Sequence, residues 1–206
     1  VDRETMWRLL AHYGIPDKVI RIIKLFYDKF EAQVMHDGDL SEPFLMKTGV
    51  RQGCLLSPIL FIVALDWVMT VSTRDHKTGI QWNLTEHLED LDFADDIVLL
   101  SQNIGHMREK MGRIESTAKK VGLKINANKT KEMRVRTKGN ARPLICRGEE
   151  LERVEEFTYL GSNIASEGGA LKDINARIKK AHVAFNMLRP VWRSRSLSRK
   201  TKLRLF

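Results

Sequence analysis

Two cysteines in 206 residues, Cys54 and Cys146, have neither paired nor ligand-like spacing, so neither a disulfide framework nor a zinc motif is present. They read as reduced thiols, small buried hydrophobes in a protein of the cytoplasm or nucleus that is not secreted. Only five prolines occur, and charged residues make up 30% against 43% apolar residues, so a disordered chain is not expected. The longest apolar run, Ile59–Met69, is interrupted by Asp66 and is shorter than the ~20 residues needed to cross a bilayer. There is no internal repeat, no signal-peptide pattern and no initial Met; Val1-Asp2-Arg3 reads as a chain entered in mid-domain.

Acid is scarce at the carboxyl end. From Lys172 to Phe206 eleven Lys and Arg face a single acid, Asp173, whereas the 171 residues before hold 24 basic and 25 acidic side chains. A basic tail on a neutral body points to a polyanionic partner, most often nucleic acid.

The pattern predicts an α+β chain. Asp2 suits the cap of a first helix closed by Gly14, and Pro16 opens a second. Ala32–His36, the turn Asp37-Gly38 and Pro43–Lys47 read as a hairpin. Ser57-Pro58 reads as cap and first turn of a helix apolar nearly all round, hence buried. His87–Phe93, a turn at Asp95-Asp96, and Ile97–Leu100 read as strand, turn and strand in a buried sheet. Ile104, Met107, Met111, Ile114, Ala118 and Val121 form a helical stripe ended by Gly122. Strands are expected at Lys131–Arg136, Pro143–Cys146 and Phe157–Leu160. A last helix should pack its stripe from Leu171 to Trp192 on the domain and break near Pro190, leaving Lys172, Lys179 and Lys180 outside.

The chemistry centres on Phe93-Ala94-Asp95-Asp96. Adjacent carboxylates at the apex of an apolar hairpin are costly unless a cation offsets them. Such hard oxygen ligands suit Mg²⁺, which takes one or two carboxylates together with substrate phosphates, and two-metal phosphoryl transfer needs such a clamp.

This box resembles that of LINE-type (non-LTR) retrotransposon reverse transcriptases. Thr48–Phe61, containing Arg51-Gln52-Gly53 and Ser57-Pro58, is similar to the family's Arg-Gln-Gly segment; Gly122–Thr130 resembles its Asn-x-x-Lys-Thr segment; Phe157–Gly161 looks like its primer grip. Four boxes stand in the family's order. The resemblance implies a palm-like antiparallel sheet with packed helices and partial fingers over residues 1–165, and a basic helical thumb start over 166–206. It implies RNA-directed DNA synthesis on an RNA template and DNA primer, with dNTPs as substrate, Mg²⁺ (or Mn²⁺) as cofactor and no membrane partner.

The roles it implies run residue by residue. Asp95 is a metal ligand and Asp96 the supporting carboxylate. Gln52 faces the templating base or dNTP, Gly53 permits close backbone approach, and Arg51 supports their loop. Lys129 steadies the leaving pyrophosphate, and Tyr159, Leu160 and Gly161 hold the primer end. The family's first catalytic Asp would precede Val1, since Asp2 reads as a helix cap, so the chain alone should be inactive. The alternative is a degenerate or truncated copy that only binds nucleic acid. Ala94 in place of Gly, together with the Arg-Gln-Gly box, argues against an RNA-dependent RNA polymerase.

Overall fold

Helix α1 (Arg3–His12) begins where the Asp2 carboxylate accepts a hydrogen bond from the Thr5 amide at 2.8 Å, and it ends at Gly14, whose φ of +78° only glycine adopts without strain. Helix α2 (Asp17–Tyr27) follows directly from Pro16. Helix α3 (Ser57–Thr73) buries Leu60, Ala64, Val68 and Met69 but leaves Ile59, Ile62 and Val71 in the open, so its all-round apolarity marks two differently covered faces rather than full burial. Ser57 is its first helical residue, one position inside the expected cap, and its hydroxyl donates to the Arg51 carbonyl. Helix α4 (Ile104–Lys120) is capped by Asn103, which accepts from the His106 amide at 2.8 Å.

The computed structural model describes residues 1–74, 76–136 and 142–205. They divide into two compact units, Val1–Thr130 with Ala141–Leu151, and Lys131–Asn140 with Glu152–Phe206.

The first unit is organised on α1, α2, α3 and α4. Met6, Trp7, Leu10, Ile20, Ile23, Tyr27 and Leu60 form one apolar cluster; Leu9, Ala64, Val68, Met69, Ile114, Ala118 and Val121 form a second. Val1 and Val63 pack against both. Around them lie short antiparallel ribbons: β1 (Glu31–Ala32) with β4 (Phe44–Leu45), β2 (Met35–His36) with β3 (Asp39–Leu40), β5 (Ile80–Gln81) with β6 (His87–Leu88), β7 (Asp90–Phe93) with β8 (Asp96–Leu99), and β10 (Ile145–Cys146) with β11 (Glu149–Glu150). The Asp37-Gly38 turn stands where the sequence predicts it, with both residues at positive φ.

In the second unit β9 (Lys131–Glu132) pairs in parallel with β12 (Glu152–Arg153), and β13 (Glu156–Tyr159) pairs antiparallel with β14 (Ser162–Ala165) through a Leu160-Gly161 turn. Helices α5 (Leu171–Met187), α6 (Arg189–Arg193) and α7 (Arg199–Leu205) complete it, with the break at Leu188 just before Pro190.

Three expectations are corrected. Among the described residues no sheet exceeds two strands, because each strand is only two to four residues long and pairs once. The Lys131–Arg136 strand stops at Glu132, and farther along the Arg136 amide donates to the Ser166 carbonyl at 2.9 Å. The α5 stripe is not covered: Leu171 is 76% and Ile174 47% exposed, because α5 docks on the β13–β14 ribbon by polar contacts instead. Asp173 accepts from the Asn163 amide at 2.8 Å, Arg177 donates to the Ser162 hydroxyl at 2.8 Å, and Lys172 pairs with Glu156 at 3.0 Å. No helix among the described residues is long and apolar enough to cross a membrane.

Candidate active site

The register of the β7–β8 ribbon places the chemistry. Asp90 faces Leu99, Leu91 faces Val98, Asp92 faces Ile97 and Phe93 faces Asp96, so the turn consists of Ala94 and Asp95. The expected Asp95-Asp96 turn is thus displaced by one residue: Asp95 sits in the bend and Asp96 is the first paired residue of β8. Ala94 holds φ at +56°, a left-handed conformation that costs an alanine about 1–2 kcal/mol. Strain of this kind persists where surrounding structure imposes it, and it tends to collect at functional sites.

Nor is the ribbon a strand pair within a buried sheet. Ile97 and Leu99 of β8 pack on the second apolar cluster, between α3 and α4, whereas Leu91 and Phe93 of β7 are exposed. One strand is glued down and the tip projects. Both Asp95 and Asp96 are exposed, and neither forms an ion pair with a described residue.

Acid continues down β7. Partial desolvation, then the Asp90 charge and its hydrogen bond, then Asp66 of α3, push the Asp92 carboxyl up to about 6. Desolvation also raises Asp90. Asp66 accepts from the Tyr13 hydroxyl, whose own pKa is pushed up to about 12 by burial and by that carboxylate.

At the root of the ribbon lies a group the sequence reading missed. The Lys110 side chain of α4 is fully buried, and its ammonium reaches the Glu89 carboxylate at 2.7 Å. Burial alone would raise the Glu89 carboxyl, but Lys110, the Gly79 amide and Thr78 outweigh it and hold the pKa below its ordinary value. Removing one partner of such a buried pair costs about 3–5 kcal/mol. The signal was present: Lys110 occupies the apolar face of the stripe, three residues after Met107 and four before Ile114.

The Arg51–Gly53 loop belongs to the same unit. Arg51 lies over the Phe30 ring, 4.8 Å from its centre, while Gln52 and Gly53 form an exposed turn. Gly53 is required by its φ of +79°; a Cβ there would meet open space, so conformation rather than crowding explains the glycine. The Tyr27 hydroxyl steadies the loop through a hydrogen bond shared with the Ser57 hydroxyl at 3.3 Å. Cys54 beside it is only half-buried, unlike the buried Cys146, and a Leu56 backbone hydrogen bond lowers its pKa despite some desolvation. Val50 packs on the first apolar cluster, which shares Val1 and Val63 with the cluster carrying the ribbon.

Lys129 is exposed in a tight loop organised by Asn126, whose carbonyl accepts from the Lys129 and Thr130 amides at 3.1 and 3.0 Å. Tyr159, Leu160 and Gly161 lie at the tip of the β13–β14 ribbon, in the second unit.

With this geometry established, known proteins give the family. The sequence pattern described as "Reverse transcriptase (RNA-dependent DNA polymerase)" matches residues 1–164. The chain belongs to the reverse transcriptase family. A pattern described only as a domain of unknown function matches residues 184–206. Among curated relatives, the Pol polyprotein of the type-2 retrotransposable element R2DM from Drosophila melanogaster is 25% identical over 178 residues, covering 82% of this chain and 17% of that protein. A Pol polyprotein of the type-1 element R2 from Popillia japonica is 24% identical over 179 residues, 82% of this chain and 29% of its own length. A transposon-derived protein of Caenorhabditis elegans is 31% identical over 103 residues, 48% of this chain and 37% of its own. This reverse transcriptase chain therefore spans well under half of each of these relatives, and those from R2 elements are non-LTR retrotransposon proteins.

The donor set also bears on a metal. Among the described residues no group of three or more His, Cys, Asp and Glu is arranged to hold one. Two adjacent carboxylates without a cationic partner still fit Mg²⁺, whose remaining positions water and phosphate oxygens fill. They do not make an all-protein cage.

Proposed function

We propose that this chain forms part of the polymerase centre of a non-LTR retrotransposon protein that copies RNA into DNA. The observation that carries the reading is the Asp95–Asp96 pair, unpaired among the described residues, at the strained tip of a ribbon whose root is buried. Asp95 is the metal ligand and Asp96 the supporting carboxylate. Bound Mg²⁺, or Mn²⁺, would lower the pKa of the primer hydroxyl and stabilise the in-line transition state.

The remaining residues bind and orient. Gln52 and Gly53 present an exposed turn to the templating base and the incoming dNTP. Arg51 holds that turn through its stacking on Phe30. Lys129 offers an ammonium to the leaving pyrophosphate. Tyr159, Leu160 and Gly161 hold the primer end, and the cations of α5, α6 and α7 follow the template–primer backbone. Phosphate contacts of that kind position a duplex without reading its sequence.

The test is a Mn²⁺ titration followed by electron paramagnetic resonance, with the chain bound to an RNA–DNA hybrid and a non-hydrolysable dNTP. Asp95→Asn should weaken the binding at least tenfold, and Lys119→Gln should leave it unchanged. Equal Mn²⁺ binding by the wild-type and Asp95→Asn chains would leave only a nucleic-acid-binding remnant.

A further inference from the structure

A two-stranded ribbon is a poor platform for chemistry. Alone in water it is marginally stable, and it twists more readily than a wider sheet. The β7–β8 ribbon has four residues per strand and no third strand among the described residues. At about 3.4 Å per residue its tip stands roughly 13 Å from its root. A tilt of about 10° at the root would carry Asp95 about 2 Å, and a misplacement near 1 Å can cost about a hundredfold in rate. Something must fix the root.

Lys110 meets that requirement. Beyond the last paired residues, Asp90 and Leu99, the Leu100 amide donates to the Glu89 carbonyl at 2.9 Å, closing the ribbon with one more rung. The Lys110 ammonium donates to both carbonyls of that rung, Glu89 O at 2.9 Å and Leu100 O at 2.5 Å. Its third proton goes to the Glu89 carboxylate at 2.7 Å. An ammonium has three donors, and all three are used. Glu89 extends the bracing: its carboxylate accepts from the Thr78 amide, the Thr78 hydroxyl and the Gly79 amide, each at 2.9 Å. Arg113, one turn along α4, donates to the Ser72 carbonyl at the end of α3 at 3.0 Å. Both strands are thereby tied to the helix that Ile97 and Leu99 pack against.

We propose that Lys110 is a positioning residue for the Asp95–Asp96 tip, clamping both strands of the ribbon at their root so that the carboxylates are presented at a fixed height and angle. This rests on the polymerase reading above, because only then does the position of the tip matter. It requires no direct contact between Lys110 and the substrate. An apolar side chain of equal length would fill the same space but supply none of the three bonds.

The experiment uses the full chain with Lys110→Met and with the Lys110→Met/Glu89→Gln pair, which also removes the stranded buried charge. Hydrogen exchange is followed at residues 90–99 and, as reference, along α1 and α3; Mn²⁺ binding is followed as before. In the double variant, exchange along residues 90–99 should rise at least tenfold while that of α1 and α3 stays within about twofold. Mn²⁺ binding should weaken at least threefold with hybrid binding unchanged. Wild-type exchange in the ribbon, or an equal rise throughout α1 and α3, would overturn the proposal. So would a double variant that does not fold, since Lys110 would then hold the unit rather than the ribbon. If the wild-type chain shows no Asp95-dependent Mn²⁺ binding, the polymerase reading fails, and with it the purpose assigned to the clamp; the exchange data then report only whether the ribbon is braced.

Discussion

Helices α4 and α5 are each 17 residues long and each carries apolar residues at steps of three and four, yet they end in different surroundings. On α4 the stripe is covered: Met111, Ile114 and Ala118 are buried against α3 and the ribbons. On α5 no residue is buried, and hydrogen bonds join it to β14 and an ion pair to β13. Periodicity shows that a helix has an apolar face; whether that face is covered depends on which neighbours the chain supplies. The first unit supplies α1 and α3, whereas the second supplies a two-stranded ribbon and cations.

The largest expected effect concerns those cations. Replacing Arg189, Arg195, Arg199 and Lys200 by Gln should weaken binding to an RNA–DNA hybrid about a hundredfold and flatten the log-log salt dependence by roughly 3, at 0.7–0.9 per phosphate. The same replacement at Arg8, Lys18, Arg21 and Lys119 in the first unit should change both far less. Equal effects in a salt titration would erase the functional contrast between the units.

Next comes the apolar stripe. Ile114→Ala on α4 should cost about 2–4 kcal/mol in urea unfolding, by lost burial and the cavity left behind. Ile178→Ala on α5, where the isoleucine is 48% exposed, should cost under about 1 kcal/mol. A large loss at Ile178 would mean that the α5 face is covered in solution.

A smaller difference separates two glycines. Gly122 and Gly161 both have positive φ, but a Cβ on Gly122 would lie 2.8 Å from the Asp2 nitrogen, whereas one on Gly161 would meet nothing. Gly161→Ala should therefore cost about 1 kcal/mol, the left-handed penalty alone, and Gly122→Ala clearly more. Similar melting temperatures for the two variants would show that the Asp2 segment yields.

The smallest effect is in pH, and its sign differs between one carboxyl of each unit. The carboxyl of Asp92 is raised from its ordinary 3.8 to about 6, so between those values it holds its proton more in the folded state than in the unfolded chain. Its contribution to stability should fall as pH rises from 3.8 to about 6, and Asp92→Asn should remove that contribution. In the second unit, hydrogen bonds from Lys172 and Asn163 lower Glu156 below 4.5. Its contribution to stability is complete above 4.5 and is lost as pH drops. Melting temperatures against pH for wild type, Asp92→Asn and Glu156→Gln resolve the two slopes.

Local signals were legible wherever one side chain or turn decides the outcome: the Asp2 cap, the Asp37-Gly38 turn, the end of α4 at Gly122 and the break before Pro190. The ribbon that carries Asp95 was legible in outline, but its turn was displaced by one residue. Two aspartates look like turn formers, and only the pairing of Phe93 with Asp96 shows that one of them belongs to the strand. Lys110 escaped notice because a stripe is read from its apolar members, so a cation among them looks like a gap. Its role depends on Glu89 and Leu100, 21 and 10 residues away. No local rule reaches that far.

The parallel pairing of β9 with β12 has a consequence for the order in which the chain folds. Every antiparallel ribbon apart from β1–β4 joins strands close in sequence and can zip from its own turn. Lys131 instead pairs with Glu152, and the chain between them includes β10 and β11, which belong to the other unit. Closing a loop of that length costs roughly 2.7 kcal/mol in chain entropy before any bond repays it. The β9–β12 pairing should thus be a late event, following the collapse of the α1–α4 core, and the amides of β9 and β12 should gain protection after those of α1–α4 in a pulse-labelling experiment.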